Sequence, residues 1–212
     1  MNRILAIAAG LAVVSASHAL VIGTGEPSET NAWYGGVLFD VQATGTLDLV
    51  LTGDFNIDID TDATGTYRFY TKPGTFVGSE NSIADWTLWG EQTVTGNGNN
   101  NWTPLSLGST QTVNAGETMG IAIFHVGGEG IESGQGALGY KGGGDTYIAE
   151  GAALVTGAAK PYSGSTDDPF ATFATFSPRT WSGQLTYEAV PEPATMLALG
   201  AGLALLARKR RK

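Results

Sequence analysis

Thr46–Thr61 reads TLDLVLTGDFNIDIDT, and its pattern decides the fold. Odd positions run Leu47, Leu49, Leu51, Gly53, Phe55, Ile57 and Ile59. Even positions run Asp48, Val50, Thr52, Asp54, Asn56, Asp58 and Asp60. Side chains two apart share one face of a strand. This alternation therefore predicts a strand with an apolar face in a core and a polar face in water. Gly53 interrupts it and marks a bulge, or a bend that splits the stretch into two strands.

The neighbouring stretches repeat the theme. Gly36–Ala43 (GVLFDVQA) and Thr64–Thr71 (TGTYRFYT) read as strands, and Lys72-Pro73-Gly74 turns the second. Thr118–Val126 (TMGIAIFHV) is apolar on both faces, as a central strand is. Trp86–Val94, Asp145–Val155 and Trp181–Ala189 complete the set, with a short helical turn at Asn81–Asp85. Between them lie polar loops, 96–101, 127–139 and 157–168. Many short strands and no long helix predict an all-β body, a two-sheet antiparallel sandwich of jelly-roll type.

The two ends have a different composition. Met1-Asn2-Arg3, the apolar run Ile4–Val14 and Ser17-His18-Ala19 form the pattern of an export signal cut after Ala19. At the other end, Pro191-Glu192-Pro193 precedes the uncharged run Met196–Ala207 and the basic cluster Arg208, Lys209, Arg210, Arg211, Lys212. Two prolines around one residue keep that segment extended. As a helix the apolar run reaches ~18 Å, short of the ~30 Å hydrocarbon core. The basic cluster holds its end on the cytoplasmic side. Such a segment suits a transient inner-membrane anchor. The expected organisation is a signal peptide at 1–19, one β-sandwich domain at 20–188 and a sorting tail at 189–212.

This order of Pro-Glu-Pro, short apolar helix and basic cluster resembles the PEP-CTERM sorting signal of Gram-negative envelope and biofilm proteins. The resemblance implies recognition of Pro191-Glu192-Pro193 by an exosortase-type membrane protease, with removal of the tail. It also implies delivery to the cell envelope, outer surface or extracellular matrix. The stretches VLFDV (37–41), FYTKPGTFVG (69–78), WTLWG (86–90) and FSPRTWSGQLTYE (176–188) resemble a module recurring in secreted PEP-CTERM proteins. That second resemblance implies a β-sandwich and no established activity.

Charge narrows the partners. Between the two terminal segments stand Arg68, Lys72, Lys141, Lys160 and Arg179, whereas all twenty Asp and Glu of the chain lie from Glu26 to Glu192. A body this acidic repels nucleic acid and anionic membrane surfaces. With no cysteine in the chain, a folded body relies on its core rather than on disulfides.

Catalytic raw material is sparse, and the body is expected not to be an enzyme. His125 falls in phase with Ile121 and Ile123, which places it on a half-buried strand face. No G-x-S-x-G, H-E-x-x-H, P-loop or dinucleotide motif is present. One alternative stays open, a polysaccharide-active hydrolase, which needs only two carboxylates; Glu129, Glu132 and Glu150, in or beside loops, are its candidates. No cofactor is expected apart from calcium, for which Asp58, Asp60 and Asp62 offer a possible site. Strand neighbours on one face stand ~6.7 Å apart, so a turn would have to bring those oxygens together. The other reading of the row is a water-facing strand that discourages edge pairing. Trp89 and Trp102 are candidate platforms for stacking an exopolysaccharide, whereas Trp33 and Trp181 are expected in the core. The body is thus expected to act as a binding or structural module of the envelope or matrix.

Overall fold

The computed structural model describes residues 18–27, 30–128, 136–163, 165–172 and 174–190. Fourteen strands run through them, with one 3-10 turn at Ile83–Asp85. One sheet orders β1 (Ala19–Gly23), β14 (Gly183–Val190), β4 (Asp48–Asp58) and β7 (Trp102–Ser106), with β8 (Gln111–Val113) also on β4. The other orders β2 (Ala32–Tyr34), β10 (Leu138–Gly142), β13 (Phe176–Trp181), β12 (Ala152–Lys160), β3 (Gly36–Ala43), β9 (Thr118–Gly128), β5 (Thr64–Pro73) and β6 (Thr87–Thr95). The small strand β11 (Tyr147–Ala149) pairs with β12. The chain passes from sheet to sheet, β3 to β4 to β5 and then β6 to β7, so the two sheets face each other as a sandwich.

Thr46–Thr61 supplies the middle of the smaller sheet. Leu49, Leu51, Phe55, Ile57 and Ile59 are all buried on its inner face. Gly53 sits inside one continuous strand at φ +78, and the register against β14 shifts there. It is a bulge, not a break. A Cβ at that position would stand 2.4 Å from the Ser109 carbonyl oxygen, so the bulge requires glycine. The two halves of β4 then take different neighbours, β8 before the bulge and β7 after it. Leu47 departs from the expectation. It precedes the strand, which begins at Asp48, and is 36% exposed.

Thr118–Gly128 is central, between β3 and β5, and its buried residues lie on both faces. The second face is covered because the larger sheet carries its own outer cluster: Leu38, Tyr70, Phe76, Trp86, Phe124 and Phe170. Trp86 stacks on Phe170 at 5.2 Å, and its indole N–H donates to the Ser79 carbonyl at 2.9 Å. The inner core is aromatic as well, with Phe39 and Trp181 parallel at 4.6 Å.

The stretch 145–155 folds as two strands, β11 and β12, turning at Glu150-Gly151, where Gly151 takes φ +71. The glycine signal inside that stretch marks a hairpin rather than an uninterrupted strand. β12 runs on to Lys160, so the loop expected from 157 starts later.

Candidate binding cleft and the C-terminal motif

A cleft of 290 Å³ opens where β2 meets β3. Trp33, Tyr34 and Gly35 form one wall, Pro161 and Tyr162 another, with Asp60, His125 and Ala137 completing it. Local sequence explains the shape. The Pro161-Tyr162 backbone passes so close to Gly35 that a Cβ there would lie 2.6 Å from the Tyr162 backbone. The Gly35 carbonyl accepts from His125 N–H at 2.8 Å, fixing β9 beneath the cleft.

His125 is 3% exposed, stacks on Tyr67 at 4.9 Å, and donates Nε2–H to the Gly127 carbonyl at 2.9 Å. Burial holds its pKa below the ordinary imidazole value, and the Gly127 carbonyl offsets part of that effect. At neutral pH it is an uncharged ring with one nitrogen committed. Asp60 is half-buried. Its carboxylate accepts from the Ala137 N–H at 3.0 Å, and its own N–H donates back to the Ala137 carbonyl at 3.3 Å. Burial raises its pKa, and backbone donors at Gly136 and Ala137 oppose the rise. Trp33 is half-buried, and its indole N–H has no hydrogen-bond partner among the described residues. The cleft therefore joins aromatic faces to a carboxylate and a neutral imidazole, a lining suited to a small polyol ring.

A larger cleft of 720 Å³ lies elsewhere, with Asp40, Gln42, Thr75, Asn114, Glu117 and Met119 among its lining residues. Its polar groups are largely engaged with one another. Asp40 accepts from the Thr75 hydroxyl at 2.6 Å and the Phe76 N–H at 2.9 Å, and Asn114 donates to Glu117 at 2.8 Å. No aromatic ring lines it.

The tryptophans are placed differently from expectation. Trp89 is only 7% exposed and packs edge-on against Phe55 at 5.4 Å, so its ring is core and no platform. Trp86, three residues earlier, does point to the other sheet face, as the spacing requires. That face is covered by Phe170 and Phe124, which is why both rings are buried. Trp102 is half-buried at the start of β7, opposite Asp58. Trp181 is core at 1% exposure, whereas Trp33 lines the cleft. Trp33 was expected in the core and instead lines the cleft, and Tyr162 is the residue that sequence reasoning passed over. The available signal was Gly35-Gly36 directly after Trp33-Tyr34, since adjacent glycines mark close backbone approach.

The acidic row does not form one water-facing edge. Asp54 is exposed, Asp58 is 0% exposed, Asp60 is half-buried and Asp62 is exposed. β4 ends at Asp58, and the isolated bridge Ile59 to Leu138 ties the following residues to the other sheet. Asp58, Asp60 and Asp62 thus occupy three different environments. Among the described residues no group of three or more His, Asp or Glu side chains could hold a metal ion. Neither carboxyl oxygen of Asp58 has a hydrogen-bond partner among the described residues. The Thr30 hydroxyl and the Asn100 N–H lie near enough to favour its charged form, yet burial wins and raises its pKa.

Of the loop carboxylates, Glu150 stands exposed at the β11–β12 turn, and its backbone carbonyl accepts from the Tyr187 hydroxyl at 2.8 Å. Glu129 and Glu132 lie outside the described residues, as do Pro191, Glu192, Pro193, Met196–Ala207 and Arg208–Lys212. Among the described residues no helix is long and apolar enough to cross a membrane. No curated protein and no solved structure matches the chain. Residues 189–212 match the family model for the PEP-CTERM protein-sorting motif, so the chain carries that motif, which implies export, exosortase processing and membrane-associated sorting in Gram-negative bacteria.

Proposed function

We propose that the body is a non-enzymatic binding module of the envelope or extracellular matrix that holds an exopolysaccharide at the Trp33 cleft. The observation that carries this reading is the joining of Trp33 and Tyr162 to Asp60 in one cleft of 290 Å³. Sugar rings present apolar C–H faces, which aromatic side chains cover, and hydroxyls, which carboxylates accept. A neutral glycan also avoids the repulsion that so acidic a body imposes on anions. Calcium at Asp58, Asp60 and Asp62 is not needed for this reading.

The test is binding of the purified protein to extracellular polysaccharide from a Gram-negative biofilm, followed by titration calorimetry with and without chelator. Trp33→Ala should weaken binding about 5-fold, corresponding to ~1 kcal/mol for one stacked ring. Trp102→Ala should leave affinity unchanged, and chelation should have no effect. Equal affinity of Trp33→Ala and wild type, or hydrolysis of the glycan during the titration, would remove the reading.

A further inference from the structure

Among the described residues that line the Trp33 cleft, Asp60 holds the only formal charge, and no Lys or Arg contributes. The basic side chains of the flanking strands are engaged elsewhere. Lys160, next to Pro161, donates its Nζ to the Glu80 carbonyl and the Asn81 side-chain oxygen, both at 2.6 Å. Arg179 lies over the Tyr140 ring, 5.6 Å from its centroid. Between residues 20 and 190 the chain carries nineteen Asp and Glu against five Lys and Arg, so the wider field around the cleft has the same negative sign.

The hydrogen-bonding groups lean the same way. A carboxylate has about four lone-pair sites. Backbone donors at Gly136 and Ala137 engage Asp60, and acceptor capacity remains. His125 gives its Nε2–H to the Gly127 carbonyl, so the other nitrogen of the neutral ring, Nδ1, is an acceptor. Aromatic faces complete the lining. Tyr34 stacks on both Tyr140, at 5.3 Å, and Phe176, at 5.0 Å, whereas no described ring stacks on Trp33 or Tyr162. A carboxylate beside open ring faces attracts a cation twice, by its charge and by the ring quadrupole. A neutral sugar only escapes the repulsion of the acidic body, while a sugar ammonium is drawn to it.

We propose that the cleft selects an exopolysaccharide unit bearing a free amino group, with the ammonium against Asp60 and the sugar ring on Trp33. This rests on the reading of the cleft as a glycan site and names the class of glycan it takes. A primary ammonium has three donors and no acceptor. The Asp60 carboxylate and Nδ1 of His125 complement it. An N-acetylated sugar keeps the ring but gives up the charge and two of the donors. A uronic acid brings a like charge against Asp60. Asp60 is half-buried, so its attraction for the amine is stronger than that of a carboxylate in open water.

Titration calorimetry of the purified protein tests it, in mildly acidic buffer of low ionic strength, where sugar amines are charged. The probes are oligomers of equal length built from glucosamine, N-acetylglucosamine and glucose. The glucosamine oligomer should bind about 10-fold tighter than the other two, as one charge-assisted pairing provides. Asp60→Asn should bring it down to their level. Asp54→Asn, which removes the same charge from the exposed face of β4, should keep the preference. Equal affinity of the wild type for all three oligomers, lost in Trp33→Ala, overturns the amine selectivity and leaves the glycan cleft standing; the wild-type comparison needs no variant to fold. A glucosamine preference that survives Asp60→Asn, or that Asp54→Asn removes equally, belongs to the acidic surface at large and overturns the proposal as well. Absence of binding to every oligomer and to the native polysaccharide overturns both this proposal and the glycan reading.

Discussion

Asp58 shows how one residue can set the pH response of the body. It is fully buried at the end of β4, where the sequence pattern places a water-facing acid. The alternation puts it in water, whereas its Cβ stands against Gly139 of the larger sheet. Thr30 and Ser182, themselves buried and joined by a hydrogen bond, pack around it, together with Gly139. Burial raises the pKa of Asp58, and does the same at Asp40 and Asp60. A carboxyl whose folded pKa lies above its unfolded value binds protons more tightly in the fold. Stability then falls as pH rises from the ordinary value of 3.8 through the raised value, and is regained on acidification. The thermal midpoint of the body should accordingly rise from neutral pH into the carboxylate range. Asp58→Asn should raise the midpoint at neutral pH and shrink the gain on acidification. Calorimetric melts over that pH series check it, and a midpoint that drops steadily on acidification in both proteins would refute it.

At the level of elements, the bulge in β4 lets a single strand serve two partners. Gly53 holds φ +78 with the Ser109 carbonyl directly behind it, and its own carbonyl accepts from the Leu107 N–H at 2.9 Å. Gly53→Ala should cost about 1–3 kcal/mol for the left-handed backbone, with the contact to Ser109 added. Gly74→Ala is the control: it too has positive φ, but open space lies around it, so its loss should be smaller. Urea denaturation of both variants measures the difference, and equal losses would show that contact at the bulge is unimportant. Strands with clear alternation or a continuous apolar run, β3, β4, β5 and β9, were legible in the sequence. The three-residue strands β2 and β8 were not, because so few residues establish no period, and β11 was read as one strand with β12 rather than as a separate one. The cleft was hidden for the same reason. Its walls come from β2 and from the segment after β12, and only the folded sheet brings Trp33 and Tyr162 together. Trp89 was misplaced because spacing puts Trp86 and Trp89 on opposite faces but cannot reveal that a second aromatic cluster covers the Trp86 face while Trp89 takes the inner core.

For the molecule as a whole, the body's last strand determines how the sorting motif can be used. β14 lies between β1 and β4, bonded on both sides, with Ala19 opposite Glu188 and Val190 opposite Asp48. Its side chains Leu185 and Tyr187 are 0% exposed. Protease access within 183–190 would require drawing out an internal strand and unpacking the core. β14 itself is therefore closed to a protease that needs an extended substrate, and Pro191-Glu192-Pro193, which the prolines bias toward extension, follows it directly in the sequence. Ala19 and Glu188 are neighbours, so the beginning and end of the body lie side by side at one end of the same sheet. The folded body can then hang from its tail without strain on the sandwich. On this basis exosortase processing should release a protein that keeps β14 intact through Val190 and lacks Met196–Lys212. Intact mass of the protein recovered outside the cell measures this. Replacing Pro191 and Pro193 together by Ala should leave the uncut precursor in the inner membrane, detectable by fractionation, with thermal stability of the body unchanged. A full-length tail on protein recovered from the outer surface would overturn the processing step, and cleavage inside 183–190 would contradict the strand argument.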